Sequence, residues 1–158
     1  MILFAVLLTS SFAQTSFASG DYDLLYKWGK YGPTEPSNFA FPQFIAVGED
    51  GSIYVSDFGN KRIQKFSSNG EYITDWGNSG KQLGSFYNPS GIAVDGDSVF
   101  VADRDLNRIQ KFSTDGEFIS SFGSSGLGEG QFLNISGIDV DVDGNIFITD
   151  KGNKKIEK

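Results

Sequence analysis

The sequence predicts an all-β fold built from repeated units of four short antiparallel strands. Three observations predict it. A block of about 46 residues occurs three times, apolar and polar residues alternate within each block, and turn-forming pairs separate the alternating runs. Residues 42–66 read PQFIAVGEDGSIYVSDFGNKRIQKF, residues 89–112 read PSGIAVDGDSVFVADRDLNRIQKF, and residues 135–158 read ISGIDVDVDGNIFITDKGNKKIEK. Asp57, Asp103 and Asp150 stand 46 and 47 positions apart. The lead-in pairs Trp28-Gly29, Trp76-Gly77 and Phe122-Gly123 follow at steps of 48 and 46. Repeats of this length are the signature of β-propeller blades.

The second copy shows how one block divides into strands. Gly91–Asp95 alternates and forms the innermost strand, and a Gly-Asp pair then turns the chain into Ser98–Ala102. Arg108–Phe112 is the third strand, and a Thr-Asp-Gly turn leads into the outer strand, Glu117–Phe122. Asp-Gly, Asn-Gly and Gly-Asp pairs supply the positive φ that tight hairpins need. The blades are expected at about 42–77, 89–123 and 135–158, with residues 24–29 as the outer strand of a further blade. No amphipathic helix is expected.

Before the repeats, Met1–Leu8 is apolar and is followed by small residues, with Ser16-Phe17-Ala18 as a small-x-small cleavage pattern. This pattern predicts a secretory leader over residues 1–18, too short to span a bilayer, although no basic residue precedes the apolar run. The folded part is then 19–158, with no membrane span, outside the cytoplasm or at the cell surface.

Composition excludes several activities. The chain of 158 residues has no Cys and no His, so it lacks thiol nucleophiles, imidazole metal sites and Ser-His pairs. A net charge of −7 argues against nucleic acid as a partner, because phosphate binding needs clustered Lys and Arg.

The patterns P-x-G-I-A-V-D, I-Y-V-A-D and N-R-I-Q-K-F resemble the NHL repeat, known from six-bladed β-propellers. The linker Phe122-Gly-Ser-Ser-Gly-Leu-Gly-Glu-Gly-Gln-Phe132 shares the resemblance, which covers about residues 24–158. The first copy departs from the pattern at Phe44 and the third at Ile135, where the family prefers Gly and Pro. The resemblance implies that three copies make half a six-bladed ring. The chain is therefore expected to be part of a longer product, or to self-associate through its open blade edges. The family also includes metal-dependent lyases and calcium-dependent hydrolases, whose site would lie in the other half of the ring. It includes NHL domains of tripartite-motif ubiquitin ligases too, but the Cys/His clusters of those proteins are missing here.

Two sets of residues stand out within the repeats. Asp57, Asp103 and Asp150 are followed by Asn60, Asn107 and Asn153 and then by a basic residue, Arg62, Arg108 or Lys155. Groups that recur in every blade are expected to serve blade geometry, with the Asp accepting from turn backbone. Asp139, Asp141 and Asp143, ahead of Gly144, match part of a calcium loop, so calcium is the one cofactor considered. The segment falls on a strand and a hairpin turn, however, and lacks the flanking helices of an EF-hand.

Positions that differ between copies are the candidates for recognition. The turn between strands two and three shares one face of the propeller with the interblade linkers. That face gathers Tyr31, Phe58, Lys81, Arg104, Asp105 and Lys151. Aromatic and charged loops on a rigid scaffold suit a non-catalytic module that binds a protein or a cell-surface glycan.

Overall fold

The computed structural model describes residues 27–158. The expected leader and most of the expected strand at 24–29 lie outside the described residues. Among the described residues all regular structure is β, and no helix is long and apolar enough to cross a membrane.

Two linker strands, β1 (Lys30–Tyr31) and β2 (Asn38–Phe39), pair in parallel ahead of the first blade. Blade one is β3 (Pro42–Val47), β4 (Ile53–Asp57), β5 (Arg62–Phe66) and β6 (Tyr72–Trp76). Blade two is β7 (Pro89–Asp95), β8 (Ser98–Asp103), β9 (Arg108–Ser113) and β10 (Phe118–Phe122). A second parallel linker pair follows, β11 (Ser124–Ser125) with β12 (Gln131–Phe132). Blade three is β13 (Ile135–Val140), β14 (Ile146–Asp150) and β15 (Lys155–Glu157). Each blade is an antiparallel meander in chain order, with four strands in the first two and three in the third.

The first strands lie side by side, β7 between β3 and β13, so the blades stack around a common inner edge. Successive side chains of a strand point to opposite faces, and each blade therefore feeds two interfaces. On β8, Val99 and Val101 pack back toward blade one, while Phe100 and Ala102 pack forward toward blade three. The first interface joins Tyr54 and Ile63 of blade one to Ile92 and Phe112 of blade two. The second joins Ala93, Phe100 and Ile109 of blade two to Ile138 and Ile148 of blade three.

Close packing explains particular residues. A Cβ at Gly91 would stand 2.8 Å from the Ser136 carbonyl oxygen and 2.9 Å from the Ile138 nitrogen. Only Gly lets β7 approach β13 so closely. Phe112 sits in an aromatic cluster with Trp76 (5.9 Å), Phe86 (5.6 Å) and Phe118 (5.9 Å between ring centroids). Burying one such ring contributes about 1.5–3 kcal/mol. A Phe from each linker, Phe39, Phe86 or Phe132, lies against the Gly that opens that linker. The Gly before it yields the space: a Cβ at Gly77 (φ 95°) would lie 2.5 Å from the Phe86 ring.

Candidate binding face

Each linker is held on the side where strand two turns into strand three. Arg62, only 3% exposed, opens β5 and reaches back to the linker carbonyls of Thr34 (2.7 Å), Glu35 (3.0 Å) and Asn38 (2.8 Å). Its Nε donates to Asp57 at 3.2 Å, and Gln64 donates to the same Asn38 carbonyl at 2.8 Å. Blade two repeats the arrangement. Arg108 donates to Lys81, Gln82 and Ser85 carbonyls at 2.9–3.0 Å, and Gln110 donates to Ser85 at 2.8 Å. A planar guanidinium carries five donors in a fixed fork, so one side chain satisfies several loop carbonyls and the Asp together.

The three Asp residues are buried and accept from linker backbone: Asp57 from Ala40 N (2.7 Å), Asp103 from Tyr87 N (3.0 Å), Asp150 from Leu133 N (2.9 Å). Burial pushes the Asp103 carboxyl above its ordinary range, against the pull of the Tyr87 and Asn88 N–H groups and of Arg108. Asn60 and Asn153 brace their Asp at 2.8 and 2.7 Å. Asn107 does something else. Leu106 occupies the position equivalent to Asn60, while Asn107 aligns with Lys61 and Lys154 as the residue at positive φ (48°, against 57° and 55°). Its Oδ1 accepts from Asn134 N of the next linker at 2.7 Å. Blade three is the weakest copy of the clamp: Lys155 replaces the Arg and pairs with Glu157 at 2.9 Å.

The variable residues stand on this framework. Tyr31 is 84% exposed on its linker, Lys81, Asp105 and Lys151 are exposed, and Phe58 and Arg104 are partly buried. Those of blades one and two come together. Lys61 lies over the Phe58 ring at 3.8 Å, and Arg104 donates across the blade boundary to Gln43 at 3.1 Å. Burial pulls the Lys61 ammonium down from its ordinary range while the Asp105 and Asp103 carboxylates push it back up, so the two turns share one electrostatic neighbourhood. Asp105 also accepts from the Asn88 side chain at 3.1 Å. Among the described residues, no hydrogen bond, ion pair or ring contact joins Tyr31, Lys81 or Lys151 to this group. Gln43 and Lys61 belong to the same group, although the sequence does not single them out. Gln43 carried a signal: it varies between copies (Gln43, Ser90, Ser136) beside an Ile and a Val that all three copies keep.

Asp139, Asp141 and Asp143 do not assemble as a calcium loop. Asp141 instead closes the β13–β14 turn, accepting from Asp143 N (3.0 Å), Asn145 N (2.8 Å) and the Asn145 side chain (2.8 Å). Those donors, the Asn145 side chain above all, hold its carboxyl below the ordinary range. Asp139 bonds to Val140 N at 2.9 Å, and the described residues contain no group of three or more potential metal ligands. Asp139 lies on β13, which ends at Val140, whereas Asp141 and Asp143 lie in the turn beyond it.

Comparison with known proteins follows the same division. Residues 39–66 match the NHL repeat, and residues 85–158 match a family described as a 6-bladed beta-propeller. NHL repeat-containing protein 3 of Homo sapiens is 38% identical over 61 residues, which are 38% of this chain and 17% of that protein; the Mus musculus protein is 36% identical over the same length. The chain thus matches under a fifth of these relatives' length. A streptogramin B lyase superposes with a TM-score of 0.56 at 20% identity, over 71% of this chain and 35% of that one. An auxiliary nutrient binding protein from Bacteroides thetaiotaomicron gives 0.57 at 17% identity, over 71% and 35%. Glutaminyl cyclase from Myxococcus xanthus gives 0.56 at 16% identity, over 77% and 55%. At these identities the likeness concerns the fold, which serves both binding proteins and enzymes.

Proposed function

We propose that this chain, which carries NHL repeats folded as β-propeller blades, is a non-catalytic binding module acting outside the cytoplasm. It recognises a protein or a cell-surface glycan through the face that bears the linkers and the β4–β5 and β8–β9 turns. One observation carries this reading. The buried Asp–Arg–Gln clamp repeats between blades one and two, while the residues it presents differ: Phe58 with Lys61 in one, Arg104 with Asp105 in the other. A rigid frame with variable aromatic and charged tips is the usual construction of a recognition surface. The apolar start of the chain supports an extracytoplasmic site of action.

The test is a screen of the full chain against arrayed glycans and extracellular proteins, repeated with the triple variant Tyr31→Ala, Phe58→Ala, Arg104→Ala. The variant is expected to lose tenfold or more in affinity for any hit while its circular dichroism is unchanged. A variant that binds as the wild type does would move recognition off this face. Turnover of a hit by the wild type would overturn the non-catalytic reading.

A further inference from the structure

We propose that the crevice between the β3–β4 turn of blade one and the β7–β8 turn of blade two binds a small organic cation, an alkylammonium group held by Glu49, Asp97 and the Tyr54 hydroxyl. A cavity of about 370 Å³ opens there, with Gly48, Glu49, Tyr54, Val94, Asp97 and Thr114 in its walls. It lies at the end of the strands away from the linkers, so it is separate from the recognition face.

Two residues shape the crevice, and both depart from the other blades. Register sets Tyr54 between Ala46 and Lys65, as it sets Phe100 between Ala93 and Lys111. Phe147 holds the position in blade three, and a lysine stands over all three rings: Lys65 at 5.5 Å, Lys111 at 5.3 Å and Lys158 at 5.4 Å. Ring and lysine therefore serve the blade, whereas the hydroxyl is peculiar to blade one. Tyr54 is fully buried, and among the described residues its hydroxyl has no hydrogen-bond partner. Burial raises the phenol above its ordinary range against the pull of Lys65, whose ammonium pairs with Asp115 at 3.7 Å. A buried hydroxyl without a partner weakens the fold that carries it, and Phe fills the same place in the other copies. A ligand that bonds to it supplies the missing partner. The second departure is Gly48, which follows Val47 where Asp95 follows Val94 and Asp141 follows Val140. Asp141 closes its own turn, and Asp95 reaches over the next blade boundary, 4.0 Å from where a Cβ on Gly144 would lie. Gly48 brings no side chain; a Cβ there would stand 3.6 Å from both the Tyr54 ring and Val94, within the crevice.

Charge selects the ligand. The walls carry three carboxylates, Glu49, Asp50 and Asp97, and no cation. Asp50 accepts from the Ser52 N–H and hydroxyl at 2.9 and 2.8 Å, while Glu49 and Asp97 are exposed at the rim. Among the described residues no three acidic side chains stand close enough to hold a metal ion, so the fit is to a broader, organic cation. An alkylammonium has three donors and no acceptor, and the two carboxylates and the neutral phenol can all accept.

Solution NMR of the full chain, titrated with butylammonium chloride and with n-butanol as the neutral counterpart, tests the site. The ammonium is expected to give saturable shifts at the amides of Gly48, Glu49, Gly96, Asp97 and Thr114, and the alcohol none. Tyr54→Phe restores the residue of the other blades, so it is expected to fold as well as wild type and bind about tenfold more weakly. Glu49→Gln combined with Asp97→Asn is expected to abolish saturation. The Tyr31→Ala, Phe58→Ala, Arg104→Ala variant, altered at the far end of the strands, is expected to bind butylammonium as wild type does. A parallel titration with acetyl-Gly-Lys-Gly-amide separates a free amine from a lysine side chain, the tighter binder naming the source. Shifts that never saturate, equal shifts with butanol, or undiminished binding by Tyr54→Phe would each overturn the proposal.

Discussion

Blade one and blade two carry nearly the same sequence on their first strands and meet opposite surroundings. FIAV in β3 and GIAV in β7 place an Ile and a Val on the backward face in the same register. On β7 the Ile is 5% exposed, and on β3 it is 60% exposed. The difference lies wholly in the neighbour. In a repeat architecture a blade cannot bury its own apolar face, and stability comes from interfaces between units. The clamp under the linkers shows the complementary behaviour. It is built within one blade and its own preceding linker, so blade one has it in full although no blade among the described residues covers its backward face.

The contrast can be broken most sharply at the clamp. Arg62→Ala leaves Asp57 buried without its cation and the Thr34, Glu35 and Asn38 carbonyls without their donor. A loss of about 3–5 kcal/mol is expected from urea denaturation. Lys155→Ala removes a lysine that is 36% exposed at its side chain, and less than about 1 kcal/mol is expected. Equal losses would mean that the two basic positions do the same work.

The face comparison gives a somewhat smaller effect. Ile92→Ala is expected to cost about 2–5 kcal/mol by opening a cavity between blades one and two. Ile45→Ala, at a position 60% exposed, should cost less than about 1 kcal/mol.

The smallest effects concern pH, and they run in opposite directions. Asp103 has a raised carboxyl, so its contribution is complete below the unfolded pKa and fades as pH rises through the folded one. Asp141 has a depressed carboxyl, so its contribution is present above the unfolded pKa and fades as pH falls through the folded one. Urea midpoints followed from about pH 3 to 7 should therefore change slope in opposite senses in Asp103→Asn and Asp141→Asn. Slopes that move together would show that the two carboxylates share one environment.

Strand order, turn positions and the side shared by linkers and second turns were all legible in the sequence, because they follow from local alternation and from period. The structure places β8 at Ser98–Asp103 and β9 at Arg108–Ser113, within a residue of the expected bounds. The calcium reading failed for a local reason as well: Asp141 finds its donors in its own hairpin. Asn107 misled because aligning on Asn ignores backbone conformation; counting from Asp103 pairs it with Lys61 and Lys154, the residues at positive φ.

The sequence by itself determined the blade. Alternating side chains and turn pairs act over a few residues, and a period of about 46 copies them along the chain. Only the tertiary structure decided which copies of a residue are core and which are surface, and which variable tips meet. The meeting of Arg104 with Gln43, 61 positions apart, depends on how one blade is rotated against the next. That rotation is set by contacts such as those of Tyr54 and Ile63 with Ile92 and Phe112, which act between residues far apart in the chain.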